Sequence, residues 1–273
     1  MRKLSTSVAF VAAGALAFGA PAAPAAAAKK TTITLSGSTS VAPLSSLLIQ
    51  AYLKGPGKGK VIFRQAQGGS DVGISDVARG RVSIGNSSRD YKSSDPGGIT
   101  FNPIAKDALC VVVNSGNTLT NLTTAQIQSI YSGKVRDWAD VPGSGRTGTI
   151  NLVTRTAASG TKDAFQKIFL GSAVESSAAA AKASSGLVAA AVEADPNAIG
   201  YVSLDFASKL KTLGYNGVTC NLQNAKTGEY GGVRNFWMVT RGKATGEIAK
   251  FITWIKTSPQ AKKIVSTEWV PLS

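Results

Sequence analysis

Short apolar runs alternate with amphipathic segments along the first hundred or so residues, and this pattern predicts alternating strands and helices. The predicted strands are 32–35, 61–65 and 82–85, and the predicted helices are 41–54 and 70–79. Pro43 falls in the first turn of the first helix, where a missing N–H does no harm because that group has no intrahelical partner. Alternation of this kind is typical of an α/β fold with a parallel sheet, in which ligands bind beyond the carboxyl ends of the strands.

The rest of the chain begins with an apolar strand at 108–114 and predicts a second lobe. A helix opens at Thr123 and ends at Gly133, and the long alanine-rich stretch Ser172–Ala194 has a helical pattern. Further strands are predicted at 150–153, 199–203 and 236–240, and further helices at 162–170 and 246–258. The chain then crosses between the lobes about twice and leaves a cleft that can close. We expect lobe 1 to comprise 29–107 and 235–273, and lobe 2 to comprise 108–234.

The first 28 residues are predicted to be a secretory signal peptide. Arg2 and Lys3 precede an apolar stretch at 8–20, and alanines at 26–28 offer a cleavage region. The apolar stretch is too short and too rich in alanine for a membrane span. We therefore expect an exported protein of the periplasm, cell envelope or extracellular space. It should be soluble, because no cysteine lies near the cleavage region to accept a lipid.

The two cysteines of the chain, Cys110 and Cys220, have two interpretations. An exported chain favours a disulfide, whereas apolar neighbours on both sides would also suit two buried free thiols. A metal site is disfavoured, since the chain has no histidine, no Cys-x-x-Cys and no tight acidic cluster. We expect no cofactor.

The chain carries a formal charge of +15, or +13 once Arg2 and Lys3 are removed with the signal. The lysines are scattered, and no basic stripe is interleaved with aromatic residues, so we expect a solvated basic surface and no nucleic acid partner. The excess charge would attract small anions. We expect a monomer.

Catalysis is disfavoured by the absence of the usual motifs. A serine nucleophile needs a base, but the chain lacks histidine and has no Gly-x-Ser-x-Gly elbow. The glycine-rich loop at 55–60 is followed by Val61 where a P-loop needs serine or threonine. We therefore expect a protein that is not an enzyme.

Four clusters of small polar residues occur where predicted strands end, at 36–40, 68–70, 85–89 and 155–161. The last of them joins Arg155 to a Ser-Gly-Thr loop that opens a helix. The first turn of a helix presents unpaired N–H groups to an anion, and arginine adds a planar set of donors. The clusters suggest an oxyanion held by neutral donors and one arginine. Serine and threonine before a helix are more often N-caps than ligands, and Arg155 could equally serve an ion pair.

The order and spacing of six segments resemble those of the phosphate-binding proteins that serve ABC transporters as extracytoplasmic receptors. The segments are 35–44, 67–73, 84–89, 122–134, 155–161 and 198–203. The resemblance covers nearly all of the mature chain. It implies a two-lobed periplasmic binding protein of type II-like fold, a permease as membrane partner, and a dehydrated phosphate in the cleft. The residues that it assigns to phosphate are Thr39, Ser40, Ser70, Ser88, Arg155, Ser159, Gly160 and Thr161.

The chain departs from this family at two positions. Ser88 stands where better-known relatives have an aspartate that accepts the proton of hydrogen phosphate and repels sulfate. A serine hydroxyl can donate or accept, so discrimination against sulfate should be weaker or should rest on another acceptor such as Asp71. Ala157 stands where many relatives have an acidic residue near the arginine. The alternative is a secreted or surface-associated binding protein of the same fold that acts as an adhesin or sensor, or that binds another oxyanion.

Overall fold

A computed structural model describes residues 29–272, and the predicted signal peptide at 1–28 lies outside the described residues. The strands are β1 (Thr31–Gly37), β2 (Val61–Gln65), β3 (Ile84–Ser87), β4 (Ile99–Val113), β5 (Asn121–Leu122), β6 (Asn151–Arg155), β7 (Ala180–Lys182), β8 (Ala198–Ser203), β9 (Lys211–Thr212), β10 (Gly214–Tyr215) and β11 (Val233–Arg241). The helices are α1 (Ala42–Lys54), α2 (Ser70–Ala78), α3 (Thr124–Tyr131), α4 (Gly160–Phe165), α5 (Ser185–Ala194), α6 (Leu222–Thr227), α7 (Gly246–Thr257) and α8 (Pro259–Glu268). A π-helical segment, Gln166–Leu170, continues α4.

One sheet runs through both lobes in the order β2-β1-β3-β11-β4-β8-β6-β7, and β9 also pairs with β4. The pairs β1–β2 and β1–β3 are parallel, as are β6–β8 and β6–β7. Strand β4 connects the two halves, because it pairs with β11 from Ile99 to Ala108 and with β8 from Leu109 to Val113. The carboxyl ends of the parallel strands β1 and β6 thus carry the polar clusters that face each other across the cleft.

Each lobe has its own apolar core. In lobe 1, α1, α7 and α8 pack on β1 and β11, with Tyr52 and Phe251 in aromatic contact at 5.0 Å between ring centroids. In lobe 2, the Phe165 ring stacks on Tyr201 at 3.9 Å, which fixes α4 against β8. The two cores hold the strand ends rigidly, so the loops that follow them are well positioned. The lobe boundaries given above stay a prediction.

Two predicted elements differ from the structure. The stretch Ser172–Ala194 is helical only from Ser185, because 180–182 pair in parallel with β6 and because the Ser184 hydroxyl, accepting from the Leu187 N–H at 3.1 Å, caps a new helix. Alanine favours helix weakly, and strand pairing overrides that preference. The terminal helix predicted at 246–258 is followed by a further helix, α8, which begins at Pro259.

Cys110 and Cys220 form a disulfide, with their Cα atoms 5.8 Å apart. It ties β4 to the segment that leads into α6, within the core of lobe 2. Among residues 29–272, no helix has both the length and the apolar character that crossing a membrane would require.

Candidate anion-binding site

The predicted site residues come from loops of both lobes and meet in one buried region. Lobe 1 contributes the β1–α1 turn, the start of α2 and the end of β3, while lobe 2 contributes the end of β6 and the start of α4. Every predicted residue with a polar side chain is buried, with 6% or less of its surface exposed. These residues are Thr39, Ser40, Ser70, Ser88, Arg155, Ser159 and Thr161. The cleft is therefore shielded from water at the point where the loops converge.

The hydroxyls of the β1–α1 turn point across the cleft. Helix α1 begins without a side-chain cap, so Thr39 and Ser40 are free for other contacts. The Ser40 Oγ lies 2.7 Å from the Thr161 Oγ1 of lobe 2. The Thr39 Oγ1 accepts a hydrogen bond from the Arg155 Nη2 at 3.1 Å. The cap interpretation therefore does not account for these two residues.

Ser70 and Ser88 form the lobe 1 wall of the site. The Ser88 N–H donates to the Ser70 Oγ at 3.1 Å, and the Ser38 Oγ donates to the Ser88 Oγ at 2.9 Å. Gly160 lies directly opposite, because a Cβ on it would stand 2.3 Å from the Ser70 Oγ. Any side chain at this position would push the two loops apart, so the close approach requires glycine.

Ser159 has a different local role from its neighbours. Its hydroxyl accepts from the Lys162 N–H at 3.2 Å and so caps α4. Within the described part of the chain, no hydrogen bond joins this hydroxyl to the other predicted residues. The N-cap alternative thus describes Ser159, and the cap sets the direction in which Gly160 and Thr161 enter the cleft.

Arg155 is fully buried and is surrounded by neutral oxygens. Its guanidinium donates four hydrogen bonds of 3.1 Å, to the Lys182 and Ala183 carbonyls and to the Thr39 and Ser185 hydroxyls. No carboxylate between residues 29 and 272 lies within 4.0 Å of it. Burial lowers the pKa of Arg155 to about 10, which still leaves it charged at neutral pH. A buried cation without a counter-charge is costly, and an anion in the cleft would remove that cost.

Arg89, the other arginine of the polar clusters, is engaged by carboxylates. Its side chain lies 2.6 Å from Asp95, 2.7 Å from Asp71 and 3.2 Å from Asp163. Although burial works against the charge, hydrogen bonds to Asp95 and Asp71 raise the pKa of Arg89. Asp71 is thus held by this ion pair. Arg89 already has its counter-charges and is a structural residue.

Ser185 also lies among these residues, although the sequence did not single it out. Its hydroxyl lies 2.9 Å from the Ser40 Oγ and accepts from the Arg155 Nη1 at 3.1 Å, and it is 1% exposed. The sequence contains the same pattern here, because Ser184-Ser185-Gly186 follows a strand and opens a helix, as the other clusters do. The helical pattern of the alanine-rich stretch Ser172–Ala194 obscures this helix start in the sequence.

The geometry suits the binding of a small oxyanion. One buried cation and several hydroxyls converge, and strong hydrogen bonds to an anion form where water is excluded. A surface pocket of about 280 Å³ adjoins this region, and Thr39, Gln67 and Phe206 are among its lining residues. The hydroxyls contact one another and Arg155, and the chain has no histidine that could serve them as a base.

Known proteins resemble this chain over most of its length. The family model described as a PBP superfamily domain matches residues 22–258. The phosphate-binding protein PstS of Bacillus subtilis (strain 168) is 27% identical over 247 residues, which cover 88% of this chain and 81% of the relative. A substrate-binding protein of a phosphate ABC transporter from Clostridium perfringens, solved with bound phosphate, is 29% identical with a TM-score of 0.83 and covers 89% of this chain and 100% of that one. An ABC-type phosphate transport receptor from Vibrio cholerae is 28% identical with a TM-score of 0.70, covering 88% and 100%.

Proposed function

The chain belongs to the PBP superfamily, and we propose that it binds inorganic phosphate between its lobes and delivers it to the permease of an ABC transporter. Its similarity to the Bacillus subtilis PstS and to the phosphate-bound Clostridium perfringens protein supports this assignment. The site supports it independently, because converging hydroxyls and one buried guanidinium are the donors that an oxyanion requires.

The observation that carries the proposal is the buried Arg155 guanidinium with neutral partners. Charged groups are stable in protein interiors when they are paired. Arg155 has four neutral acceptors but no carboxylate partner in the described chain, so it is ready to receive an anion. The affinity gained on binding would then include relief of this unpaired charge.

We propose that the phosphate contacts are Thr39, Ser40, Ser70, Ser88, Arg155, Gly160 and Thr161, with Ser159 beside them. The hydroxyls and the first N–H groups of the loops donate to the phosphate oxygens, and Arg155 supplies the single formal charge. Such a site holds the ion without water because protein donors replace its hydration shell. Gly160 allows the loops of the two lobes to close on the ligand.

Ser88 takes the place of a carboxylate as acceptor for the phosphate proton. Its hydroxyl already bonds to Ser38 and lies 3.3 Å from the Ser70 Oγ, so it can turn between donating and accepting. Neutral acceptors repel sulfate less than a carboxylate does. We therefore propose that this protein prefers phosphate less strongly over sulfate than a site with an aspartate would.

The cycle that we propose places the protein outside the cytoplasm. The predicted signal would direct export and then be removed, and the net positive charge would raise the rate of anion capture at low salt. Closure of the lobes would exclude water and strengthen the bonds to the ligand, and the permease would dock on the closed form. The protein itself would perform no chemical step.

Calorimetric titration of the phosphate-stripped mature protein tests the function. We expect one-to-one binding of phosphate near neutral pH, with weaker but measurable binding of sulfate. Equal affinity for both anions would shift the assignment to a general oxyanion receptor. The absence of phosphate binding would refute the proposed function.

A further inference from the structure

We propose that Ser185 is an additional anion-binding residue. Its hydroxyl is polarised by Arg155 and donates a hydrogen bond to the bound anion. This inference rests on the proposed function, because it extends the same site. It adds one residue, at the first position of α5, to those that form the site.

The position of Ser185 within its helix leaves its hydroxyl free. The preceding residue, Ser184, already caps α5 through its contact with the Leu187 N–H. A second hydroxyl is not needed at this helix start, yet Ser185 is 1% exposed and turned into the cleft. Two adjacent serines thus have separate roles, one in the helix and one in the site.

The contacts of Ser185 determine where its proton can go. The Oγ accepts from the Arg155 Nη1 at 3.1 Å, so one of its lone pairs faces a cation. The hydroxyl hydrogen is then free to be donated. The nearest side-chain oxygen is the Ser40 Oγ, which lies 2.9 Å from the Ser185 Oγ. A hydroxyl that accepts from a cation is polarised and becomes a better donor to an anion. Ser185 can therefore donate to an oxyanion that also contacts Ser40.

The same connection also orients Arg155. The carbonyls of Lys182 and Ala183 accept from the Nε and Nη2 atoms at 3.1 Å. The Ser185 N–H donates to the Thr39 Oγ1 at 3.2 Å, and this oxygen also accepts from the Arg155 Nη2. Lys182, Ala183 and Ser185 thus bind the arginine, and Ser185 also contacts lobe 1. Ser185 is where these two sets of contacts meet.

The test compares Ser185→Ala with the matched variant Ser184→Ala. We expect Ser185→Ala to weaken phosphate binding about 10- to 100-fold, which is the range for a hydrogen bond to a charged group. Ser184→Ala should lower the melting temperature, since it removes a helix cap, but should change the phosphate affinity by less than about threefold. Ser185→Thr keeps the hydroxyl and should restore most of the affinity.

Each outcome bears on the inference. Unchanged phosphate affinity in Ser185→Ala would overturn it while leaving the proposed function intact. Equal losses in both alanine variants would overturn it too, because the effect would then come from the helix start. Should Ser185→Ala fail to fold, the comparison of Ser185→Thr with Ser185→Val, which has the same shape without a hydroxyl, decides in its place. A wild-type protein that does not bind phosphate would overturn the inference together with the function on which it rests.

Discussion

Two buried arginines, Arg155 and Arg89, have opposite surroundings. Arg155 is 1% exposed and donates to neutral oxygens, whereas Arg89 is 5% exposed and contacts three carboxylates. Burial lowers the pKa of Arg155 to about 10, while its carboxylate partners raise that of Arg89. The partners of a buried cation therefore decide its role. A cation with acidic partners supports the fold, and one without them can bind an external anion.

The largest expected effect follows from removing the cation without carboxylate partners. Arg155→Ala should weaken phosphate binding about 1,000-fold, because the ligand charge would then be buried without a counter-charge. The melting temperature should stay the same or rise, since an unpaired buried charge is removed. Titration calorimetry and thermal denaturation of the same sample would show both effects. An affinity within threefold of the wild type would remove Arg155 from the site.

The matching change at Arg89 should affect stability first. Arg89→Ala would leave Asp95, whose side chain is 5% exposed, without its cation, and should lower the free energy of unfolding by about 3 kcal/mol. Urea denaturation would measure this. The double variant Arg89→Ala with Asp95→Asn should recover part of the loss because the stranded charge is gone. A stable Arg89→Ala protein that no longer binds phosphate would reverse the roles assigned to the two arginines.

Local sequence pattern could not distinguish the two arginines, and only the family resemblance assigned Arg155 to the anion. Arg89 ends one cluster of small polar residues and Arg155 begins another, both close to strand ends. The partners of Arg89 include Asp163, which lies far along the chain and is brought close by the packing of the lobes. Local pattern carries no information about such contacts. The type of most strands and helices was predictable because hydrophobic spacing is local. Of the residues that contact Arg155, the predicted list contained only Thr39.

The error in the alanine-rich stretch has a physical cause. Alanine has a high helix propensity, so a run of it hides the break between a turn, a strand and a new helix. The pairing of 180–182 with β6 and the cap at Ser184 override that propensity, and both depend on tertiary structure. Ser185 was lost with this error. A search for small polar residues at helix starts inside alanine-rich stretches would have found it.

Asp205 is a third ionisable group in the interior. In the described part of the chain, neither of its buried carboxylate oxygens accepts a hydrogen bond within ordinary distance. Burial, followed by the charges of Asp107 and Glu268, raises its pKa to about 8, although the Ser203 hydroxyl and Arg234 act in the opposite direction. The folded state thus binds more protons than the unfolded state between about pH 4 and pH 8, so the free energy of unfolding should fall as the pH rises through this range. The slope from this group is at most about 1.4 kcal/mol per pH unit. Denaturation of wild type and Asp205→Asn at several pH values should show a smaller fall in the variant, and parallel curves would contradict the assignment.

A carboxylate added to the neutral site would make it resemble the surroundings of Arg89. Ser88→Asp should raise the preference for phosphate over sulfate roughly tenfold, because the carboxylate accepts the proton of hydrogen phosphate and repels an anion that has none. Ser88→Asn adds similar volume without charge and should leave the preference nearly unchanged. Competitive titration with both anions near neutral pH measures the ratio. An equal shift in both variants would indicate an effect of size.

The smallest expected effect concerns Asp163, a carboxylate of lobe 2 that forms ion pairs with lobe 1. Asp163, in α4, contacts Arg89 at 3.2 Å and Lys92 at 2.6 Å, and both partners belong to the predicted lobe 1. Asp163→Asn should weaken phosphate binding about threefold through faster dissociation, since partly exposed ion pairs contribute up to about 1 kcal/mol. The difference should shrink in high salt, which screens the lost attraction. Glu193→Gln breaks an exposed pair with Lys209 that lies within lobe 2, so it should leave the dissociation rate unchanged. Stopped-flow measurement of phosphate release compares the two, and equal rates in both variants would show that the ion pairs across the cleft do not hold the closed form.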